Sequence, residues 1–257
     1  MLTPPEIARS LLAAGESKAR LPFGKMLLLA ILAGAYIALA GVGATAAAVT
    51  VESGSLAKLL SACVFPAGLS MVILAGSELF TGNCLMVMAL LERRITPAQL
   101  LRNWLTVYLG NAVGGAAVAA LAVYSHTASL FGDGLARSMI SIAESKAALG
   151  FGDAFLRGVL CNFLVCLAVW MAAASKRAEG KVIALFFPIL LFVLCGYEHC
   201  IANLYYLPAG AFAAAEYGME TTLTLAGCLE NLAAVTLGNL VGGAALGVGY
   251  RFAYLKE

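Results

Sequence analysis

Apolar residues in this chain gather into six long runs separated by short polar stretches, at positions 26–51, 59–91, 103–124, 154–174, 182–207 and 228–250. A helix that crosses a bilayer needs about 20 apolar residues, so each run predicts one span. The second run is too long for one straight helix: at full length it would extend about 50 Å, against a hydrocarbon core of about 30 Å. In its middle lies Gly76-Ser77-Glu78-Leu79-Phe80-Thr81-Gly82-Asn83, and the fifth run carries Gly196-Tyr197-Glu198-His199-Cys200-Ile201-Ala202-Asn203. Both read G-x-E-x-x-x-x-N. Polar groups and helix breaks survive at membrane depth only where they face protein or a wet cavity. The second and fifth helices are therefore expected to be broken.

The octets belong to a larger repeat. Leu21-x-Phe23-Gly24 precedes the first run as Leu149-x-Phe151-Gly152 precedes the fourth. Leu109-Gly110-Asn111-x-Val113-Gly114-Gly115-Ala116-Ala117 in the third run matches Leu237-Gly238-Asn239-x-Val241-Gly242-Gly243-Ala244-Ala245 in the sixth. These flanking matches are offset by 128 residues and the octets by 120, which requires a short indel between them. Three spans per unit is an odd number, so the second unit enters from the opposite face. The expected fold is an all-α membrane protein of six transmembrane helices in two inverted three-helix repeats. Such folds bind solute near the midplane between interrupted helices. One transmembrane domain, 1–257, is then divided into an N-terminal cytoplasmic helix (1–25), repeat one (26–124), an external loop with a short helix (125–153), repeat two (154–250) and a cytoplasmic tail (251–257).

Composition agrees with a membrane solvent. Apolar residues make up 62% and charged residues 12%, against about 25% charged in soluble domains. A net charge of +2 excludes a nucleic-acid-binding surface. Twelve basic residues (Arg9, Lys18, Arg20, Lys25, Arg93, Arg94, Arg102, Lys176, Arg177, Lys181, Arg251, Lys256) fall on one side of the predicted topology, and four (Lys58, Arg137, Lys146, Arg157) on the other. The positive-inside rule then makes both termini cytoplasmic, in a multi-pass protein of the cell's inner membrane. The first apolar run lacks a small-residue cleavage site and is expected to be retained. Seven cysteines lie in or beside apolar runs without a C-x-x-C pair, which suits packing rather than metal or redox chemistry, so neither a metal nor a cofactor is expected.

Two segments are expected on the surface. Thr3-Pro4-Pro5-Glu6 is a capping box that opens a short helix with Ile7, Leu11, Ala14 and Lys18 on one side. The pattern from 135 to 148 predicts another helix. At 100° per residue, Leu135, Met139, Ile142 and Lys146 share about 60° of arc, which sets a lysine on the buried stripe. The paired G-x-x-x-G motifs at Gly110/Gly114 and Gly238/Gly242 fit close helix packing within the chain.

Candidate chemistry centres on His199, an ionisable group at mid-span beside Glu198, and thus a functional residue by default. A neutral imidazole can donate a hydrogen bond or a proton to a passing anion. Thr81, opposite it in the repeat, offers a hydroxyl, and Asn83, Asn162 and Asn203 offer amides at similar depth. Buried carboxylates facing an anion path would repel it, so Glu78 and Glu198 are expected to cap freed backbone N–H groups at the breaks. Lys146 would concentrate anions at the external mouth. His126, at a span end, reads as an ordinary loop residue.

With these residues in view, the chain resembles the formate/nitrite transporter family over essentially its full length. Leu74-Ala75-Gly76-Ser77-Glu78-Leu79-Phe80-Thr81-Gly82 is similar to the family's first signature, and Gly158-Val159-Leu160-Cys161-Asn162-Phe163-Leu164-Val165-Cys166-Leu167-Ala168 to its second. The stretch from Gly196 to Asn203 resembles the segment bearing the family's central histidine. The resemblance implies an aquaporin-like protomer with its own pore, assembled as a homopentamer in the bilayer, that carries small anions such as nitrite, formate or hydrosulfide. It implies constrictions at Phe65, Leu69, Leu79, Phe80 and Phe192, polar pore contacts at Thr81, Asn162, His199 and Asn203, and a vestibule lysine at Lys146. One departure is visible: the family's Asn-Leu-x-Pro-Val-Thr reads Asn231-Leu232-Ala233-Ala234-Val235-Thr236 here, which should straighten the last helix. Cys161-Asn162-Phe163 and Gly196-Tyr197 lie nearer the nitrite members, whereas Leu207-Pro208-Ala209-Gly210 lies nearer the formate and hydrosulfide members.

Two rival classes make different demands. An intramembrane enzyme would need a nucleophile near His199, and no serine has a G-x-S-x-G setting. A neutral-solute channel of aquaporin type carries paired Asn-Pro-Ala boxes, and Asn83 and Asn203 lack the proline.

Overall fold

The computed structural model describes residues 1–255; Lys256, counted above among the basic residues of the tail, lies outside the described residues. The chain is helical throughout, with no strand among the described residues. Helix α1 (Pro4–Ala19) starts where Glu6 Oε2 accepts from the Thr3 N–H at 2.7 Å and from its hydroxyl at 2.8 Å, with prolines in the first turn. Helix α2 (Phe23–Ala46) is the first apolar span. Helices α3 (Gly54–Val64) and α4 (Pro66–Ala75) form the next apolar stretch, jointed at Pro66 because proline has no N–H to donate into the helix. A non-helical segment then separates α4 from α5 (Phe80–Asn83). A 3₁₀ turn (Cys84–Met86) carries the helix on into α6 (Val87–Leu91).

Helix α7 (Pro97–Tyr124) opens on a second capping box: Gln99 N–H donates to the Thr96 hydroxyl at 3.2 Å, while Thr96 N–H donates to Gln99 Oε1 at 2.8 Å. A connector holds α8 (Gly134–Ala147). Helix α9 (Phe151–Ala173) is the next long apolar helix. Helices α10 (Ala178–Leu194) and α11 (Cys200–Glu216) are 17 residues each, about 26 Å, so neither crosses a bilayer alone. Helix α12 (Leu225–Tyr254) closes the fold and runs uninterrupted through Ala233-Ala234. Among the described residues, five stretches are long and apolar enough to cross a membrane: Phe23–Ala46, Gly54–Ala75, Pro97–Tyr124, Phe151–Ala173 and Leu225–Tyr254.

Several boundaries differ from the sequence reading. The stretch expected over 59–91 begins at Gly54, where the Ser53 side chain caps α3. The third begins at Pro97 rather than 103, and the last runs to Tyr254. The capping boxes and N-caps extend these helices past their apolar runs. Helix α8 buries Leu135, Ala136, Met139, Ile140 and Ala143, a stripe centred about 60° further round than expected. The alanines Ala136 and Ala143 belong to that stripe, and Lys146 stands at its edge, half-buried.

Two close pairs frame the core, α2 against α7 and α9 against α12. A Cβ on Gly114 would fall on the Ile31 carbonyl, and one on Gly242 would fall on the Val159 carbonyl, so only glycine lets these backbones meet. Both G-x-x-x-G motifs thus serve packing inside the chain. A buried apolar cluster including Ile37, Phe65, Leu69, Leu79, Val165 and Phe192 fills the centre, between the two interrupted segments.

Candidate functional site

Each interruption begins with a left-handed glycine. Gly76 has φ +81° and Gly196 has φ +68°, values that L side chains reach only at a cost. At the first, Gly76 and Ser77 N–H groups both donate to the Val72 carbonyl, at 3.1 and 2.9 Å, closing α4. Glu78 N–H donates to the Leu29 carbonyl at 3.2 Å. At the second, Gly196 N–H donates to Val193 and Tyr197 N–H to Phe192, and Glu198 N–H reaches the Arg157 carbonyl at 3.3 Å.

One asparagine secures each break. Asn111 Oδ1 accepts from Phe80 N–H at 3.0 Å, and its amide donates to the Ala30 carbonyl at 2.7 Å and the Glu78 carbonyl at 2.9 Å. Asn239 repeats this: Oδ1 accepts from Cys200 N–H at 2.9 Å, and the amide donates to Gly158 at 2.8 Å and Glu198 at 2.9 Å. These side chains do the capping that the sequence reading assigned to the glutamates. The L-G-N repeat had signalled them, but it was read only for its glycines.

The carboxylates have different partners. Glu78 accepts from Lys18 Nζ at 2.6 Å and from the Asn83 amide at 2.7 Å. Glu198 accepts from Lys146 Nζ at 2.9 Å on both oxygens and from the Asn203 amide at 2.7 Å. Asn83 also donates to Asn103 Oδ1, and Asn203 to Asn231 Oδ1. Lysine and asparagine hydrogen bonds satisfy each carboxylate where an unpaired charge would be costly. Lys18 precedes Lys146 by the same 128 residues as the flanking repeats, a signal the sequence reading passed over.

His199 sits between the breaks in extended conformation as the N-cap of α11, 3% exposed. Its Nδ1 accepts from Ala202 N–H at 3.1 Å. An accepting Nδ1 carries no proton, so the neutral ring bears its hydrogen on Nε2. Nε2 lies 2.9 Å from Thr81 Oγ1 and therefore donates to it, leaving the threonine hydroxyl hydrogen to point elsewhere. The ring stacks on Phe192 at 5.8 Å, and Phe192 meets Phe65 edge-on at 5.6 Å.

Three cavities lie in series through this point. One of about 280 Å³ is bordered by Lys18, Ser77, Glu78, Leu69 and Leu79. A chamber of about 10 Å³, room for roughly one water molecule, is lined by Leu69, Leu79, Phe65, Phe192 and His199 among others. A third of about 360 Å³ is bordered by Phe65, Phe192, His199, Lys146 and Glu198. Leu69 and Leu79 separate the first from the chamber; Phe65, Phe192 and His199 separate the chamber from the third.

Not every candidate residue lies on this line. Phe80 turns its ring away onto Trp104 and Tyr108, at 6.4 and 5.1 Å, because the Phe80 N–H is fixed to Asn111. Asn162 donates to the Thr81 carbonyl at 3.2 Å and the Asn239 carbonyl at 2.7 Å, which ties α9 to α5 and α12. Asn203 is engaged with Glu198 and Asn231, and Asn83 borders the first cavity. Phe80, Thr81, Asn162 and Asn203 border none of the three cavities, and Thr81 meets their lining through its bond to His199. Among the described residues no group of three His, Cys, Asp or Glu side chains gathers to hold a metal ion.

Residues 5–253 match a sequence model of a family described as formate/nitrite transporter. A probable formate transporter of Methanothermobacter thermautotrophicus is 38% identical over 99% of this chain and 98% of its own. Among solved structures, one described as an FNT family ion channel superposes with a TM-score of 0.87 at 31% identity, covering 96% of this chain and 98% of that one. Another, a pentameric formate channel with formate bound, superposes with a TM-score of 0.80 at 33% identity over 91% of this chain and 98% of that one.

Proposed function

This chain belongs to the formate/nitrite transporter family, and from that premise we propose that it conducts small monovalent anions of weak acids, formate, nitrite or hydrosulfide, along the three cavities. The observation that carries the reading is buried His199, bonded to Thr81 at 2.9 Å, which lines an apolar chamber with a cavity on either side. In this reading α3 to α6 form one interrupted span and α10 with α11 another. With α2, α7, α9 and α12 they make six spans in two inverted units, 26–124 and 154–250. The basic residues put both termini on the cytoplasmic side of the inner membrane. The likeness to a pentameric channel supports assembly as a homopentamer with a passage in each protomer.

The chemistry follows from desolvation. Stripping a small anion of water inside an apolar chamber costs tens of kcal/mol in the Born limit. Phe65, Leu69, Leu79 and Phe192 impose that loss. His199, whose ring lines the chamber, offsets it by turning Nε2–H from the Thr81 hydroxyl to the anion. The N-terminus of α11 adds positive potential at the same point. Proton coupling uses the same ring: Nδ1 gives up the Ala202 N–H and takes a proton from the cavity while the Nε2 proton passes to the anion, which keeps the ring neutral and releases a neutral acid. Asn162 and Asn203 support the breaks from outside the cavities, and Asn83, Glu78 and Glu198 support them from the cavity walls. The test is flux in proteoliposomes across a pH series. His199→Phe should abolish the pH dependence of formate flux, and an unchanged pH profile would refute proton delivery.

A further inference from the structure

The two breaks are near duplicates, yet the cavities beside them differ in charge. On the Glu78 side, Lys18 and Glu78 are the charged residues of the cavity wall and neutralise each other. The opposite wall has the equivalent pair Lys146 and Glu198, and adds Lys58 and Arg157. Among the described residues neither addition is engaged in an ion pair. The formal charge is therefore zero on one wall, and on the other Lys58, Lys146 and Arg157 against Glu198 leave +2.

The internal repeat shows that both cations are departures. Glu198 N–H donates to the Arg157 carbonyl as Glu78 N–H donates to the Leu29 carbonyl, so Arg157 stands where the other unit has leucine. At the octet offset of 120, Lys58 corresponds to Ala178. Lys146 cannot supply the missing field, because both Glu198 oxygens hold its ammonium at 2.9 Å.

We propose that Lys58 and Arg157 form an anion-capture site at the mouth of the larger cavity, ahead of the Lys146–Glu198 pair, which makes anion loading unequal on the two faces of the membrane. The inference rests on the transport reading and deepens it. The planar fork of Arg157 suits the two oxygens of a carboxylate or nitrite, and Lys58 adds an unpaired charge to the same wall. A basic cleft of this kind enriches anions by about tenfold or more at low salt. Screening over about 10 Å at 0.1 M salt erodes that gain.

The experiment uses the purified full chain in planar bilayers, with orientation scored by protease access to a terminal tag and formate added to one face at a time. At low ionic strength, half-saturation from the Lys58/Arg157 face should need roughly fivefold less formate than from the Lys18 face. High salt should erase the difference. The double variant Lys58→Gln/Arg157→Gln should erase it at all salt concentrations, whereas Lys58→Arg/Arg157→Lys should keep it. A wild-type chain that carries formate without this asymmetry, or a neutralised variant that retains it, overturns the site. The salt series on wild type needs no variant to fold. An absence of current with formate, nitrite and hydrosulfide alike in wild type would instead overturn the transport reading, and the capture site with it.

Discussion

Replacing Asn239 by alanine tests whether one side chain holds the second break together. The substitution removes three hydrogen bonds, from Cys200 N–H at 2.9 Å and to the Gly158 and Glu198 carbonyls at 2.8 and 2.9 Å. All three backbone groups lie in the buried centre, where an unsatisfied donor or acceptor costs about 1–3 kcal/mol. Alanine's missing volume lets some of them find new partners or water from the adjoining cavity, so the lower half of the summed range applies, about 4 kcal/mol. At roughly 2–4 °C per kcal/mol for a chain of this size, the melting temperature in detergent should fall by about 10 °C. Fluorescence-detected size exclusion after heating measures this directly. Asn111→Ala should cost about as much, since Asn111 makes the same three contacts at the first break. If Asn239→Ala melts within about 2 °C of wild type, this network does not hold the break and the reasoning fails.

Other perturbations give separate tests. Gly242→Leu puts a side chain against the Val159 carbonyl; it should destabilise by about 3 kcal/mol or more, read as lost monodisperse protein, and a well-behaved, fully active variant would contradict the packing. Glu198→Ala strands Lys146 and the Asn203 amide and should cost about 2–3 kcal/mol, below the figure for a fully dry pair because a cavity adjoins it. Lys146→Met in the same background should restore part of that loss in a double-mutant cycle, and full additivity would deny the pairing. Outside the membrane, the backbone N–H of Thr222 and the Thr221 hydroxyl hold the Glu144 carboxyl below its ordinary value of 4.5. A depressed value means the tie between α8 and the loop is present above pH 4.5 and is lost as pH falls through the lower folded value. Hydrogen exchange at Thr222, corrected for intrinsic rate, should show protection that fades below pH 4.5; protection that persists equally in Glu144→Ala would refute the tie.

The helical character, five apolar stretches and the family were legible because they depend on local pattern: run length, the capping box at Thr3–Glu6, and octets that recur in order. The errors lie where a contact joins distant segments. Glu78 and Glu198 looked like caps because they flank the freed N–H groups in sequence, but α7 and α12 bring Asn111 and Asn239 to those groups instead. Phe80 looked like a constriction by its place in a signature, and the bond from its own N–H to Asn111 turns the ring away. Asn162 and Asn203 are fully buried, but contacts between distant helices direct their amides into hydrogen bonds within the chain. Lys146 was singled out by helix angles that discounted alanine; with Ala136 and Ala143 counted as buried, it moves from the stripe's centre to the cavity's edge. Its partner Glu198 could not be read from spacing alone, and the same holds for Lys18 and Glu78.

The most direct test of the central claim is current through the purified wild-type protein in a planar bilayer, with formate, nitrite and hydrosulfide supplied in turn under a voltage gradient. The account predicts an anion-selective current with at least one of the three, lost when Leu79→Trp closes the chamber between the two larger cavities. Water permeation without any anion current, or a current untouched by that substitution, would contradict it.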